Sequence, residues 1–412
     1  MNAIDPEVLG ARAYAMISEL AAISAEPGRL VRLFLTPEHR RAADLVASWM
    51  RNAGLAVSED ALGTLRGRYG TARRRLLLGS HIDTVIDAGK YDGPLGVIAA
   101  IIAAEVFAKS KAKLPFGIDV LAFGDEEGSR FPATMTSSSA CAGVFENEAL
   151  ASADAKGVTL TAALRAYGKI PQDIAAAAYR PQDAAAYVEV HIEQGPVLEA
   201  RGEPLGVVTG IVGQTRLRVT VTGEQGHAGT VPMDLRRDAL AGAAEMALAL
   251  EGIAREHPED GMVGTVGRIE AFPGAVNIIP GRVVFTVDLR ALTDELRVAA
   301  VERFSAEARQ IAEARKLKVE IENFHEIATA HCAPALQEAL AASIRSLGHT
   351  PIQLPSGAGH DAQVMARLCP SCMMFVRCRG GISHSPAEFT SVSDMGVAIA
   401  ALIRFIQNFQ PG

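Results

Sequence analysis

Residues 6–24 place apolar side chains at three- and four-residue spacing, and residues 37–52 repeat this before Gly54, so the chain opens with two amphipathic helices. Short apolar runs follow. Residues 75–79 (RLLLG) read as a buried strand that delivers Ser80, His81 and Asp83 at its end. Pro94 starts an Ala-rich helix to about residue 109, and residues 116–123 form a second apolar strand ending on Asp125, Glu126 and Glu127. Strand, helix, strand with polar residues at both strand ends is the pattern of a βαβ unit in an open α/β sheet. A further strand over 186–190 ends on His191, followed by Glu193-Gln194-Gly195-Pro196.

The pattern then changes. Residues 215–222 (TRLRVTVT) alternate with period two, as a half-exposed antiparallel strand does. A helix over about 236–256, strands near 262–272 and 282–290, a helix over 293–315 and a strand over 318–324 complete a β-α-β-β-α-β series, a ferredoxin-like arrangement. The α/β character returns with a helix over 333–347 and an apolar strand at 373–376. The expectation is an α/β catalytic domain, residues 1–212 and 329–412, interrupted by a smaller α+β domain at 213–328. There are no internal repeats.

Composition narrows the class. With 49% hydrophobic and 21% charged residues the chain can bury a full core, and a net charge of −7 argues against a nucleic-acid or anionic-membrane partner. Residues 95–108, the longest apolar stretch, contain Glu105 and are too short to span a bilayer, which takes about 20 residues. The first residues, MNAIDPEVLG, lack the basic start and apolar core of a signal peptide, so a cytoplasmic protein is expected. The five cysteines are scattered and imply no disulfide framework. Cys369 and Cys372 form a C-x-x-C, but it runs into an apolar strand and reads as core.

The chemistry sits at strand ends and in loops. His81, Asp92, Glu126-Glu127, His191 and His384 are hard-metal ligand types, and imidazole with carboxylate suits Zn, Mn or Co. Each alone is unremarkable; most fall where an α/β sheet gathers its ligands, at the carboxyl ends of strands.

These residues lie in stretches that resemble a known family. GSHIDTV (79–85), YDGPLGV (91–97), DEEGSRFP (125–132), HIEQGPVLE (191–199), GHAGTVPM (226–233), RRDAL (236–240), NIIPG (277–281), SGAGHDA (356–362) and GISHSPAE (381–388) resemble the hydantoinase/carbamoylase amidases. That group belongs to the dinuclear-metal aminopeptidase-like hydrolases and includes N-carbamoyl-L-amino-acid hydrolases, allantoate amidohydrolases and β-ureidopropionases. The resemblance covers nearly the whole chain, in order. It implies an aminopeptidase-like mixed-sheet catalytic domain, with the inserted domain serving as lid and dimerisation unit of a homodimer. Two divalent ions (Zn, Mn, Co or Ni) would be held by His81, Asp92, Glu127, His191 and His384, with Asp92 bridging. Asp83 would orient the His81 ring and Glu126 would be the general base. His227, reaching the site of the partner subunit, would stabilise the oxyanion. Arg290 would bind a substrate carboxylate, and Gln194, Asn277, Gly357, Gly359 and His360 would supply further substrate contacts. Hinges are expected near 210–213 and 327–330.

The implied reaction is hydrolysis of the carbamoyl C–N bond of an N-carbamoyl-L-amino acid, with allantoate or N-carbamoyl-β-alanine as alternatives. A metallo-exopeptidase would share the same two-metal core. An inactive metal-dependent binding protein would be expected to have lost Glu126, which is present. A serine hydrolase lacks support, since no G-x-S-x-G occurs.

Overall fold

The computed structural model describes residues 5–256 and 261–411. The chain forms two compact units: Met1–Thr209 with His331–Gly412, and Gly210–Ala330.

The first unit is built on a nine-stranded mixed sheet. Its strands are β1 (Ala56–Glu59), β2 (Leu65–Tyr69), β3 (Arg75–His81), β4 (Gly117–Phe123), β5 (Ala184–Ile192) and β6 (Leu205–Ile211). The second unit carries β7 (Gly213–Thr222), β8 (Gly226–His227), β9 (Val263–Phe272), β10 (Ile278–Ile279), β11 (Arg282–Ala291) and β12 (Lys318–Ile327). Then β13 (Ala330–His331), β14 (Ile352–Ser356) and β15 (Ser371–Val376) complete the large sheet. Its order is β1-β2-β4-β3-β5-β15-β6-β13, with β14 on β6. The central strands β4, β3, β5 and β15 are mutually parallel neighbours. Every residue of these four strands is buried, because helices cover both faces. That explains their continuous apolar runs, which carry no period-two signal.

The helix Pro94–Ser110 joins β3 to β4 and is buried on nearly all sides. Its one acidic residue, Glu105, is paired with Arg12 and Lys109 at its margin. Helix Val392–Asn408, which closes the unit, is likewise apolar almost all round, and Ser391 caps it by accepting from Asp394 N. Among the described residues no helix is long and apolar enough to cross a membrane. All five cysteines are buried thiols, Cys372 within β15.

The second unit is a four-stranded antiparallel sheet in the order β12-β7-β11-β9. With helices Ala239–Arg255 and Asp294–Ala314 this is the ferredoxin-like topology. Val283, Phe285, Val287 and Leu289 alternate inward from β11 and pack on Met246, Leu250 and Phe304 of the two helices. The alternation exists because only one face of this sheet is covered.

Candidate metal centre and active site

Sheet order brings the chemistry together. Four parallel neighbours spaced about 4.8 Å apart set their carboxyl ends along one rim. His81 ends β3, Glu126 and Glu127 follow β4, His191 lies at the end of β5, and the turn after β15 carries His384. Asp92 comes from the β3–helix connection and lies one residue before Gly93, the N-cap of helix Pro94–Ser110.

Asp92 is the centre of the arrangement. Its Oδ1 faces His191 Nε2 at 3.1 Å and His81 Nε2 at 3.5 Å. Its Oδ2 faces His384 Nε2 at 3.4 Å, and that nitrogen is 3.5 Å from Glu127 Oε2. Glu126 Oε2 stands 3.9 Å from His81 Nε2. Ligand atoms of His81, Asp92 and His191 lie within 4.8 Å of one another, as do those of Asp92, Glu127 and His384. The two groups share one carboxylate.

The residues fit divalent metal ions. Nε2 of His81 and of His191 are buried and make no hydrogen bond, a costly state for a polar atom unless something else is bound there. Burial raises the Glu126 carboxyl well above the usual carboxylate range, helped by Glu127, Asp361 and Asp83 and opposed by His81. Burial and Asp92 push Glu127 up to about 7. Burial works against the Asp92 carboxylate too, but His191, His384 and His81 outweigh it and hold Asp92 well below its ordinary value. Carboxylates this crowded are the environment a cation relieves. The donor set is imidazole and carboxylate without thiolate, as suits catalytic rather than structural metal.

Local structure explains the placement. His81 Nδ1 is 3.3 Å from Asp83 Oδ1 and 3.2 Å from Asp83 O, which directs Nε2 toward Asp92. The Asp83 carboxylate also accepts from Glu126 N and Glu127 N, each at 3.2 Å, and so holds the loop of the two glutamates. His191 Nδ1 bonds Ile192 O at 2.9 Å, leaving its Nε2 for the centre. Gly93 has φ +79°, and a Cβ there would meet the His81 ring at 2.5 Å. Gly93→Ala is therefore expected to displace His81 and weaken metal binding by at least about tenfold. Metal titration of the folded variant checks this; wild-type affinity would refute it.

The other expected site residues fall in two places. Gln194, at φ +57°, bonds Asp92 Oδ2 through Nε2 at 2.7 Å, while its Oε1 is buried without a hydrogen bond. Its amide N–H thus contacts Asp92. His360 is buried against His191 with ring centroids 4.4 Å apart, and its Nε2 is 2.9 Å from Ser356 Oγ. Gly357 and Gly359 precede it in the same loop, and a Cβ at Gly357 would meet nothing within 4 Å. His227, Asn277 and Arg290 belong to the second unit. There His227 is exposed on β8, its Nδ1 accepting from Gly229 N at 3.0 Å, and Asn277 O accepts from Ala228 N at 2.9 Å. Arg290 is held by Asp288 through Nε at 2.9 Å and Nη2 at 3.2 Å.

Several residues of the site receive no role from the sequence. Asp125 accepts from Thr136 and Ser137 N at 2.9 and 3.0 Å and from both hydroxyls, anchoring the loop that presents Glu126. The Ser137–Ser139 run serves in part as this anchor. Glu189 lies beneath the histidines, taking Ser80 Oγ at 2.8 Å and Ala362 N at 3.0 Å. Ser383 donates to Asp92 Oδ2 at 2.6 Å. The only available signal was position beside a ligand or a strand.

Comparison with known proteins identifies the family. The model of peptidase family M20/M25/M40 matches residues 77–408. A probable allantoate deiminase of Oryza sativa subsp. japonica is 42% identical over 97% of this chain and 88% of its own. An N-carbamoyl-L-amino acid amidohydrolase of Geobacillus stearothermophilus is 41% identical over 98% and 100%. The crystal structure of a hydantoinase/carbamoylase family amidase from Burkholderia multivorans superposes with a TM-score of 0.87 at 32% identity, covering 96% of this chain and 97% of that one. With a shared carboxylate between two imidazole-bearing ligand groups, and relatives of this similarity along its whole length, the chain belongs to peptidase family M20/M25/M40, a metal-dependent hydrolase family, and stands with its hydantoinase/carbamoylase amidases.

Proposed function

We propose that the protein hydrolyses the carbamoyl C–N bond of an N-carbamoyl-L-amino acid, with allantoate as the second reading. The observation that carries the chemistry is Asp92, whose two oxygens each serve one histidine-containing group. A carboxylate so placed would serve two metal positions at once. Relatives near 40% identity are named for both substrates, so both remain on the bench.

His81, Asp92 and His191 would hold one ion, and Asp92, Glu127 and His384 the other. Bound there, two divalent ions would supply Lewis acidity toward the ureido carbonyl and lower the pKa of an attacking water. The chain supplies the proton traffic. Glu126 takes a proton from water as its oxygen bonds the carbonyl carbon, then returns that proton to the nitrogen as the C–N bond breaks. Burial raises the proton affinity of Glu126, which suits a group that must both accept and donate near neutral pH. His227 is proposed to stabilise the oxyanion from the partner subunit. Gln194, Asn277, Gly357, Gly359 and His360 are proposed to line the substrate site. The inserted unit would close over it and dimerise, and the protein would work in the cytoplasm. Sedimentation showing a monomer would remove the trans role of His227.

Arg290 is proposed to bind the substrate carboxylate, because a planar guanidinium matches a carboxylate in a bidentate pair and Asp288 fixes its plane. Arg290→Ala is expected to raise KM for ureido carboxylates about 10- to 100-fold, the size of a charge-assisted hydrogen bond. Metal content should not change. An unaltered KM refutes the assignment.

The function itself is tested by ammonia release from Mn- or Co-loaded protein. N-carbamoyl-L-amino acids, allantoate and N-carbamoyl-β-alanine are run in parallel with a dipeptide control. Chelator-sensitive release from one ureido compound identifies the substrate class. Cleavage of the dipeptide alone moves the protein to the exopeptidases and overturns the proposal.

A further inference from the structure

Glu388 follows His384 by four residues in the segment between β15 and helix Val392–Asn408. It is 5% exposed and is no metal ligand in either group described above. Its Oε1 accepts from two successive backbone amides, Tyr91 N at 2.8 Å and Asp92 N at 3.1 Å. Its Oε2 is 3.1 Å from Ser383 Oγ, and the same hydroxyl is 2.6 Å from Asp92 Oδ2. The chain is shaped to admit this carboxylate: a Cβ at Gly89 would fall 2.3–2.4 Å from Glu388 side-chain atoms.

Two consequences follow from ordinary hydrogen-bond chemistry. An amide pair taken by one buried oxygen orients the backbone that carries Asp92, because leaving both N–H groups unpaired there is costly. The Ser383 hydroxyl, donating its one proton to Asp92 Oδ2 and lying against Glu388 Oε2, then restricts rotation of the Asp92 carboxylate, on which the division of its two oxygens between the histidines depends. Ser383 is also the immediate neighbour of His384, so one side chain ties together segments 296 residues apart in sequence.

We propose that Glu388 is a positioning residue of the metal centre, a clamp that locks the Asp92 carboxylate and the Ser383–His384 turn into the geometry that binds metal. It acts through Asp92 and touches no substrate. The proposal rests on the two-metal reading but not on the choice of substrate.

The test is metal affinity without substrate. Mn(II) binding and the visible spectrum of the Co(II) form are measured for wild type, Glu388→Ala, Glu388→Gln and Ser383→Ala, with thermal melting as the check on folding. Glu388→Ala is expected to weaken Mn(II) binding about 10- to 100-fold and to alter the Co(II) spectrum, the scale found for residues that orient ligands. Glu388→Gln keeps an oxygen for the two amides and should recover most of the affinity. Ser383→Ala should lose several-fold. At saturating Mn(II), kcat of Glu388→Ala should climb back toward wild type with KM unchanged, which a general loss of stability would not produce. Wild-type affinity and spectrum in a folded Glu388→Ala overturn the proposal. Should Glu388→Ala fail to fold, Ser383→Ala decides, and wild-type binding by that variant overturns it equally. A wild-type chain that binds no divalent metal overturns the two-metal reading and this proposal with it, whereas a wrong substrate leaves these binding measurements untouched.

Discussion

Glu126→Gln is expected to lower kcat by about 10²–10⁴-fold, the usual contribution of a positioned general base, while KM and bound metal stay close to wild type. The amide preserves size and burial but cannot take up a proton. Glu126 lies outside the two groups that share Asp92, although its carboxylate is also within ligand distance of His81 and Glu127, with Oε2 3.9 Å from His81 Nε2. Its backbone is held by Asp83, so the substitution leaves the loop in place. A variant with normal metal content and undiminished turnover would remove Glu126 from the reaction. Loss of metal together with activity would make it a ligand instead. Steady-state kinetics beside metal analysis separates these cases.

Asp92→Ala is expected to abolish activity and to empty both metal positions, the largest effect of any single ligand. The reason is geometric: Asp92 alone belongs to both ligand groups, with Oδ1 toward His191 and His81 and Oδ2 toward His384. His384→Ala removes a ligand from one group only and should leave one ion bound. Its side chain is also half exposed, in contrast to the buried His81 and His191. Metal stoichiometry per chain for the two variants is the measurement. Two ions retained by Asp92→Ala would overturn the bridging assignment.

The elements that carry strong local patterns were legible. The period-two run of β7 and the apolar runs of β3, β4 and β5 reflect how each strand is covered, on one face or on both. Strand ends came out longer in the structure: β3 continues through His81 and β5 runs from Ala184 to Ile192, because pairing with neighbours extends a strand past its apolar core. The edge strand β1 and its neighbour β2 escaped notice. The strand β2, LRGRY, alternates Leu65, Gly67 and Tyr69 with two arginines, but it is only five residues long and its arginines are held by aspartates and a carbonyl elsewhere in the fold. Helix Val392–Asn408 does carry a polar stripe, with Ser393, Arg404 and Asn408 exposed on one side, but its middle, residues 395–403, is buried and apolar on every face.

What the sequence determined by itself was the kind of chemistry and the level of the sheet at which it would sit. Histidines and carboxylates at successive strand ends already pointed to a hard-metal site, because ligand hardness and strand-end position are local properties, while hydrolysis was implied by the resemblance of the surrounding motifs to a known family. Only the tertiary structure decided which atoms meet. The order β4-β3-β5-β15 sets His384 beside residues almost 300 positions away, and no local period encodes strand order. Nor does any motif announce that Asp125 is bound by Thr136 and Ser137, or that Glu388 receives the amides of Tyr91 and Asp92. Those partners are chosen by burial. Once a polar group is shut away from water it must be satisfied by whatever the folded chain brings within about 3 Å, however distant in sequence.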